Sequence, residues 1–132
     1  MLEAALLLPW VLFMFVGVFD VGFYNYALIC TENAARVAAW YTSQSPSTAT
    51  DSTTACTYAL AELSDMPNVG TSVTTCGASP VVVTATQVTG ADSALASQVS
   101  VSYTSPQLIP IPGQLSGQFT FDRVVQMRLV TQ

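Results

Sequence analysis

The chain has 132 residues, of which 51% are hydrophobic and only 8% charged, against about a quarter charged in an ordinary soluble domain. Three Arg, no Lys and no His stand against eight acidic residues, for a net charge of −5. That excludes electrostatic nucleic-acid binding, His acid–base chemistry, His metal sites and polybasic membrane adhesion, and leaves a membrane-associated or self-assembling chain of one domain.

The first predicted element is a long helix. No charge occurs from Ala4 to Phe19; Asp20 interrupts, and the next charge is Glu32. About 20 apolar residues cross a bilayer core, so Leu2 to Ile29 is long enough. Pro9 removes one backbone bond and is expected to kink the first turns. Gly17 and Gly22 would let another helix come close. The helical spacing continues past this stretch: Cys30, Ala34, Val37 and Tyr41 share one face, and Glu32 with Arg36 forms an i,i+4 pair. One helix is therefore expected from Leu2 to Thr42, roughly 60 Å long. Residues 1–29 would be membrane span or filament core, and residues 30–42 would lie on a head domain, 43–132. A signal peptide fits poorly, because the apolar stretch is too long and no basic segment precedes it. The missing basic flank fits a chain whose short leader has been removed; the other reading is a chain that begins at Met1.

Ten of the sixteen residues from Thr42 to Thr57 are Ser or Thr, which reads as a polar surface loop. A short helix is expected over 54–65, with Cys56, Leu60 and Leu63 as its apolar stripe and Pro67 as its stop. The period then changes to two. Val73 and its neighbours suggest a first strand, and Val81 to Val88 a second. Val99, Val101 and Tyr103 mark the third. Phe119, Phe121, Val125, Met127 and Leu129 share a face of the fourth, with Arg123 among them, near an edge or paired. The fold class expected is α+β: a small antiparallel sheet whose apolar face is covered by the back half of the long helix.

Cys56 and Cys76 are expected to form a disulfide, which requires an oxidising compartment; the alternative is three buried free thiols, Cys30 included. No CxxC spacing suggests a metal. The polar, cysteine-bearing region follows the span, so it should lie outside the cytoplasmic membrane. Glu3 is either a carboxylate favoured by the helix N-terminus or a partner for the α-amino group of a neighbouring copy. Asp20 shares a face with Tyr24, whose hydroxyl could donate to it. It is either an interfacial anchor beside the aromatic residues Phe23, Tyr24 and Tyr26 or a polar contact within a helix bundle. Leu108, Ile109 and Ile111, with Pro110 and Pro112, form an apolar loop that either contacts another head or plugs one end of the sheet.

Residues 3–42 resemble the N-terminal signature of TadE-like pilins and pseudopilins of the tight-adherence class of type IV pilus systems. Glu3, small and aliphatic residues and Pro9 come first, then Gly17 and Asp20, then the block Asn33 to Arg36. The C-terminal stretch from Ser102 to Leu129 is similar to the family's end. The resemblance implies a pilin-like fold whose N-terminal helix is both membrane anchor and filament core. It further implies a prepilin peptidase and pilus assembly machinery as partners, and no cofactor. The expected function is a structural subunit that polymerises from the inner membrane into an extracellular filament at the cell surface. The alternatives are a minor pseudopilin that primes or tips a filament, and a single-pass membrane protein with a ligand-binding head. Pro9, Gly17, Asp20 and Gly22 separate these, since a plain anchor needs no polar or close-contact positions. An enzyme is not expected: without His or Lys a nucleophile lacks its usual base, and no carboxylate pair is visible.

Overall fold

The computed structural model describes residues 2–106 and 118–130, with residues 2–5 as backbone alone. Helix α1 runs Leu2–Thr42, 41 residues, and continues through Pro9. After a series of turns, α2 (Ser52–Glu62) begins. The polar loop is thus shorter than its composition suggested. Asp51 caps α2 by accepting the Thr54 amide at 3.0 Å, and this starts the helix at Ser52 instead of Thr54.

Four strands follow: β1 (Gly77–Ala78), β2 (Val81–Thr89), β3 (Leu95–Thr104) and β4 (Thr120–Arg128). They form one antiparallel sheet in the order β1-β2-β3-β4. The strand expected at Val73 does not form. Val73 directly follows a run of turns that ends at Ser72, its amide donating to the Val69 carbonyl at 3.4 Å. A lone valine between Ser72 and Thr74 offers no alternating run to bury. Across the inner face, Val81, Tyr103 and Phe121 make one row, and Ala85, Val99 and Val125 another. Between them, Val83 and Val101 lead to Arg123. Arg123 therefore ends an apolar row at the sheet edge, where a cation can reach water.

Helix α1 packs on β3, β4 and α2. Its inward stripe shares only Ala34 with the Cys30–Ala34–Val37–Tyr41 face. Ala27, Thr31, Ala34, Ala35, Ala38, Ala39 and Thr42 are the residues fully withdrawn from solvent. They recur at helical spacing, and their small side chains bring the helix backbone close to the sheet. Cys30, Val37 and Tyr41 flank this stripe, half-buried. The core beneath contains Leu63, Met66, Val81, Val99, Val101 and Tyr103.

Polar groups lock the end of α1 to the sheet. The buried Ser97 hydroxyl donates to Thr42 Oγ1 at 2.7 Å, and Thr42 donates to the Ala39 carbonyl at 3.1 Å. The Val130 amide donates to the Ser43 carbonyl at 2.9 Å. Cys56 and Cys76 are joined, with Cα atoms 5.7 Å apart, tying α2 to the segment before β1.

Candidate functional site

The front half of α1 touches almost nothing. Leu6, Trp10, Phe13, Phe15 and Val18 are 61–73% exposed, and only their own helix neighbours cover the rest. Residues Leu6–Thr42 form a helix long and apolar enough to cross a membrane. By contrast with the stripe above Ala27, this surface exposes bulky Leu, Phe, Trp and Met side chains around the helix. A helix that is apolar all round requires a partner other than water.

The residues singled out from the sequence divide on this helix. Gly17 and Gly22 lie in open space; a β-carbon at either would meet no heavy atom within 4 Å. Each glycine costs a helix interior about 1 kcal/mol relative to alanine, so nothing within one copy accounts for them. Asp20 is partly exposed. The two ion pairs among the described residues are elsewhere, Arg36 with Glu32 and Arg128 with Asp92. The Asp20–Tyr24 hydrogen bond is not among those of the described residues. Tyr24 turns to the sheet, its ring 5.2 Å from Phe121 and 6.0 Å from Phe119. This aromatic contact marks where α1 leaves the head. Spacing within the helix could not reveal it, because both partners lie in a distant strand region. Leu108, Ile109 and Ile111 lie outside the described residues, as does the side chain of Glu3.

On the head, a cavity of about 320 Å³ lies beside the disulfide, lined by Ser52, Thr53, Thr57, Thr74, Thr75 and Val83, among others. Its polar groups are hydroxyls, with no charged or aromatic side chain to anchor a ligand. Among the described residues no cluster of His, Cys, Asp or Glu could hold a metal ion. Tyr103 is buried and donates to the Pro67 carbonyl at 2.9 Å. Burial, with a smaller contribution from nearby Cys30, pushes its pKa up to about 12. This is a structural group holding the loop after α2 to β3.

The TadE-like protein family model matches residues 1–40. No curated protein and no solved structure matches the chain. The match covers the N-terminal helix and leaves residues 41–132 unmatched, and that helix is apolar enough to fit anchoring in a membrane.

Proposed function

We propose that the protein is a structural pilin-like subunit that polymerises through α1 into an extracellular filament. Residues 1–29 serve as membrane span and then as filament core, residues 30–42 as the joint, and residues 43–132 as the extracytoplasmic head. The observation that carries this reading is the continuous α1. Its back half is locked to the head, and its front half presents bulky apolar side chains on all sides. Such a helix can exchange lipid for identical helices without exposing apolar surface to water. Gly17 and Gly22 then have a purpose, close approach between copies, and Asp20 becomes a contact within the bundle. A prepilin peptidase and pilus assembly machinery are the partners this role implies, and no catalytic role is assigned.

A minor pseudopilin that primes or tips the filament would use the same helix. The ligand-binding-head reading has less support, since the hydroxyl-lined cavity carries no anchoring group. Asp20→Leu tests the proposal. The variant should insert and fold normally, yet filaments counted by negative-stain microscopy should fall about tenfold or more, as expected on losing a desolvated polar contact. Normal filament numbers would defeat the role given to Asp20. Wild-type protein that stays dispersed under assembly conditions would defeat the whole reading.

A further inference from the structure

We propose that Asp20 of one copy pairs with Arg123 of a neighbouring copy, a contact that deepens the self-assembly reading and rests on it. The chain holds only three basic side chains, Arg36, Arg123 and Arg128. Arg36 is paired with Glu32, and Arg128 lies 3.6 Å from Asp92. Arg123 has no carboxylate partner among the described residues; its guanidinium donates to the neighbouring Asp122 carbonyl at 3.1 Å. It is partly exposed at the open edge of β4, at the end of the Val83–Val101 row. A second copy can therefore reach it.

Among the carboxylates whose side chains are described, Asp20 is the one that most needs a cation. Glu62, Asp65 and Asp122 are exposed on the head, where water solvates them. Asp20 sits on the apolar part of α1, where neither lipid nor a helix bundle replaces that hydration.

The geometry sets the stagger. Strand β4 runs alongside α1 from the Phe121–Tyr24 ring contact to the Val130–Ser43 backbone bond. Two residues beyond Phe121, about 7 Å along the strand, Arg123 is level with Leu28. Asp20 lies eight residues before Leu28, about 12 Å down the helix. The pair does not form within one copy. It forms when a neighbour is displaced by about 12 Å along the helix axis, which places one copy's Asp20 level with the next copy's Arg123.

Charge exchange tests the contact in the full-length chain. Asp20→Arg and Arg123→Asp should each lower filament counts about tenfold or more, and the double exchange should restore most of that loss. A second measurement avoids placing a cation in the membrane. Copies carrying Asp20→Cys are mixed with copies carrying Arg123→Cys, both with Cys30→Ala, and oxidised with copper–phenanthroline. A reducible mixed dimer is expected. A double exchange no better than the singles, together with no mixed dimer, overturns the pair. So do normal filaments from Arg123→Asp with weakened binding to anionic vesicles, which would assign Arg123 to lipid phosphate. In either case wild-type filaments would leave the self-assembly reading standing; if the wild-type chain forms none, that reading itself fails.

Discussion

Between Leu6 and Val21, α1 turns its largest side chains outward, with Trp10 and Phe15 each more than 70% exposed. Between Ala27 and Thr42 the same helix turns alanine and threonine inward and withdraws them completely. The two halves answer different packing problems. The back half has one fixed partner, a sheet already carrying Tyr103, Val99 and Val101. Small residues bring that sheet close, and large ones would push it away. The front half has no partner within the chain. Its side chains are suited to lipid or to other helices, where bulk and apolarity are needed on every side. The contrast shows that hydrophobicity alone does not locate the core of this protein. Side-chain size decides which part of the helix meets the head.

The largest expected effect comes from opening the head while leaving the front half alone. The Cys56–Cys76 link joins residues 20 apart in sequence, and a closed loop of that length contributes about 3 kcal/mol by the chain-entropy relation. Cys56→Ala with Cys76→Ala should lower the denaturant midpoint of the head accordingly. Mild reduction of assembled fibres should loosen the heads but leave the fibres intact, as seen by microscopy. Fibres that disperse on reduction would show that the two regions are not independent.

The next test sets the two halves of α1 against each other. Ala35→Leu places a bulky side chain where Ala35 has no exposure, and overpacking of this kind costs about 1–3 kcal/mol. Phe15→Ala removes a side chain that is 73% exposed and should leave the head's unfolding midpoint unchanged. Equal effects from both would erase the distinction.

Where the sequence carried a strong period, it revealed the element. Val81 to Val88 is rich in Val and Thr and Val99 to Tyr103 alternates, and both lie in paired strands, with Val81, Val83, Ala85, Val99, Val101 and Tyr103 buried. The extent of α1 was legible because apolar and helical spacing continue without a break to Thr42. Its inner face was not. Cys30, Val37 and Tyr41 are larger than alanine, so they marked a face one step round from the buried stripe. Val73 misled for the opposite reason, being one apolar residue without a pairing partner. The two-residue β1 has no period to read. The contacts of Tyr24 with Phe119 and Phe121, and of Thr42 with Ser97, join residues far apart in the chain. Only the folded register brings them together.

A smaller effect is expected at Tyr103. Its hydroxyl donates to Pro67, with Asn68 Oδ1 at 3.2 Å. Tyr103→Phe should cost about 1 kcal/mol at neutral pH, the net value of one buried hydrogen bond. The pH dependence has a definite sign. Burial raises the pKa from 10.0 to about 12 in the folded chain. The stabilisation is complete below pH 10, where both states keep the proton, and falls as pH rises from 10 to about 12, where only the folded state keeps it. Urea midpoints between pH 9 and about 11.5 should therefore decline more steeply in the wild type than in Tyr103→Phe. Parallel declines would remove Tyr103 as the cause.

The smallest effect is expected at the start of α2, where the Asp51 carboxylate accepts the Thr54 amide and the Tyr41 hydroxyl approaches at 3.4 Å. The backbone amide of Thr54, followed by its side chain, holds the Asp51 pKa below the ordinary 3.8. The sign is opposite to that at Tyr103. Stabilisation is present above the ordinary value and is lost as pH falls through the depressed folded value. Asp51→Asn keeps an oxygen to cap the helix but removes the charge. Its midpoint at neutral pH should differ little from wild type, while its loss of stability below pH 3.8 should be shallower. Amide exchange at Thr54 and Ala55 localises the effect. Protection there should weaken on acidification in the wild type and hold more nearly constant in Asp51→Asn. Identical acid profiles would mean that the cap is held by geometry alone, independent of the carboxylate's charge.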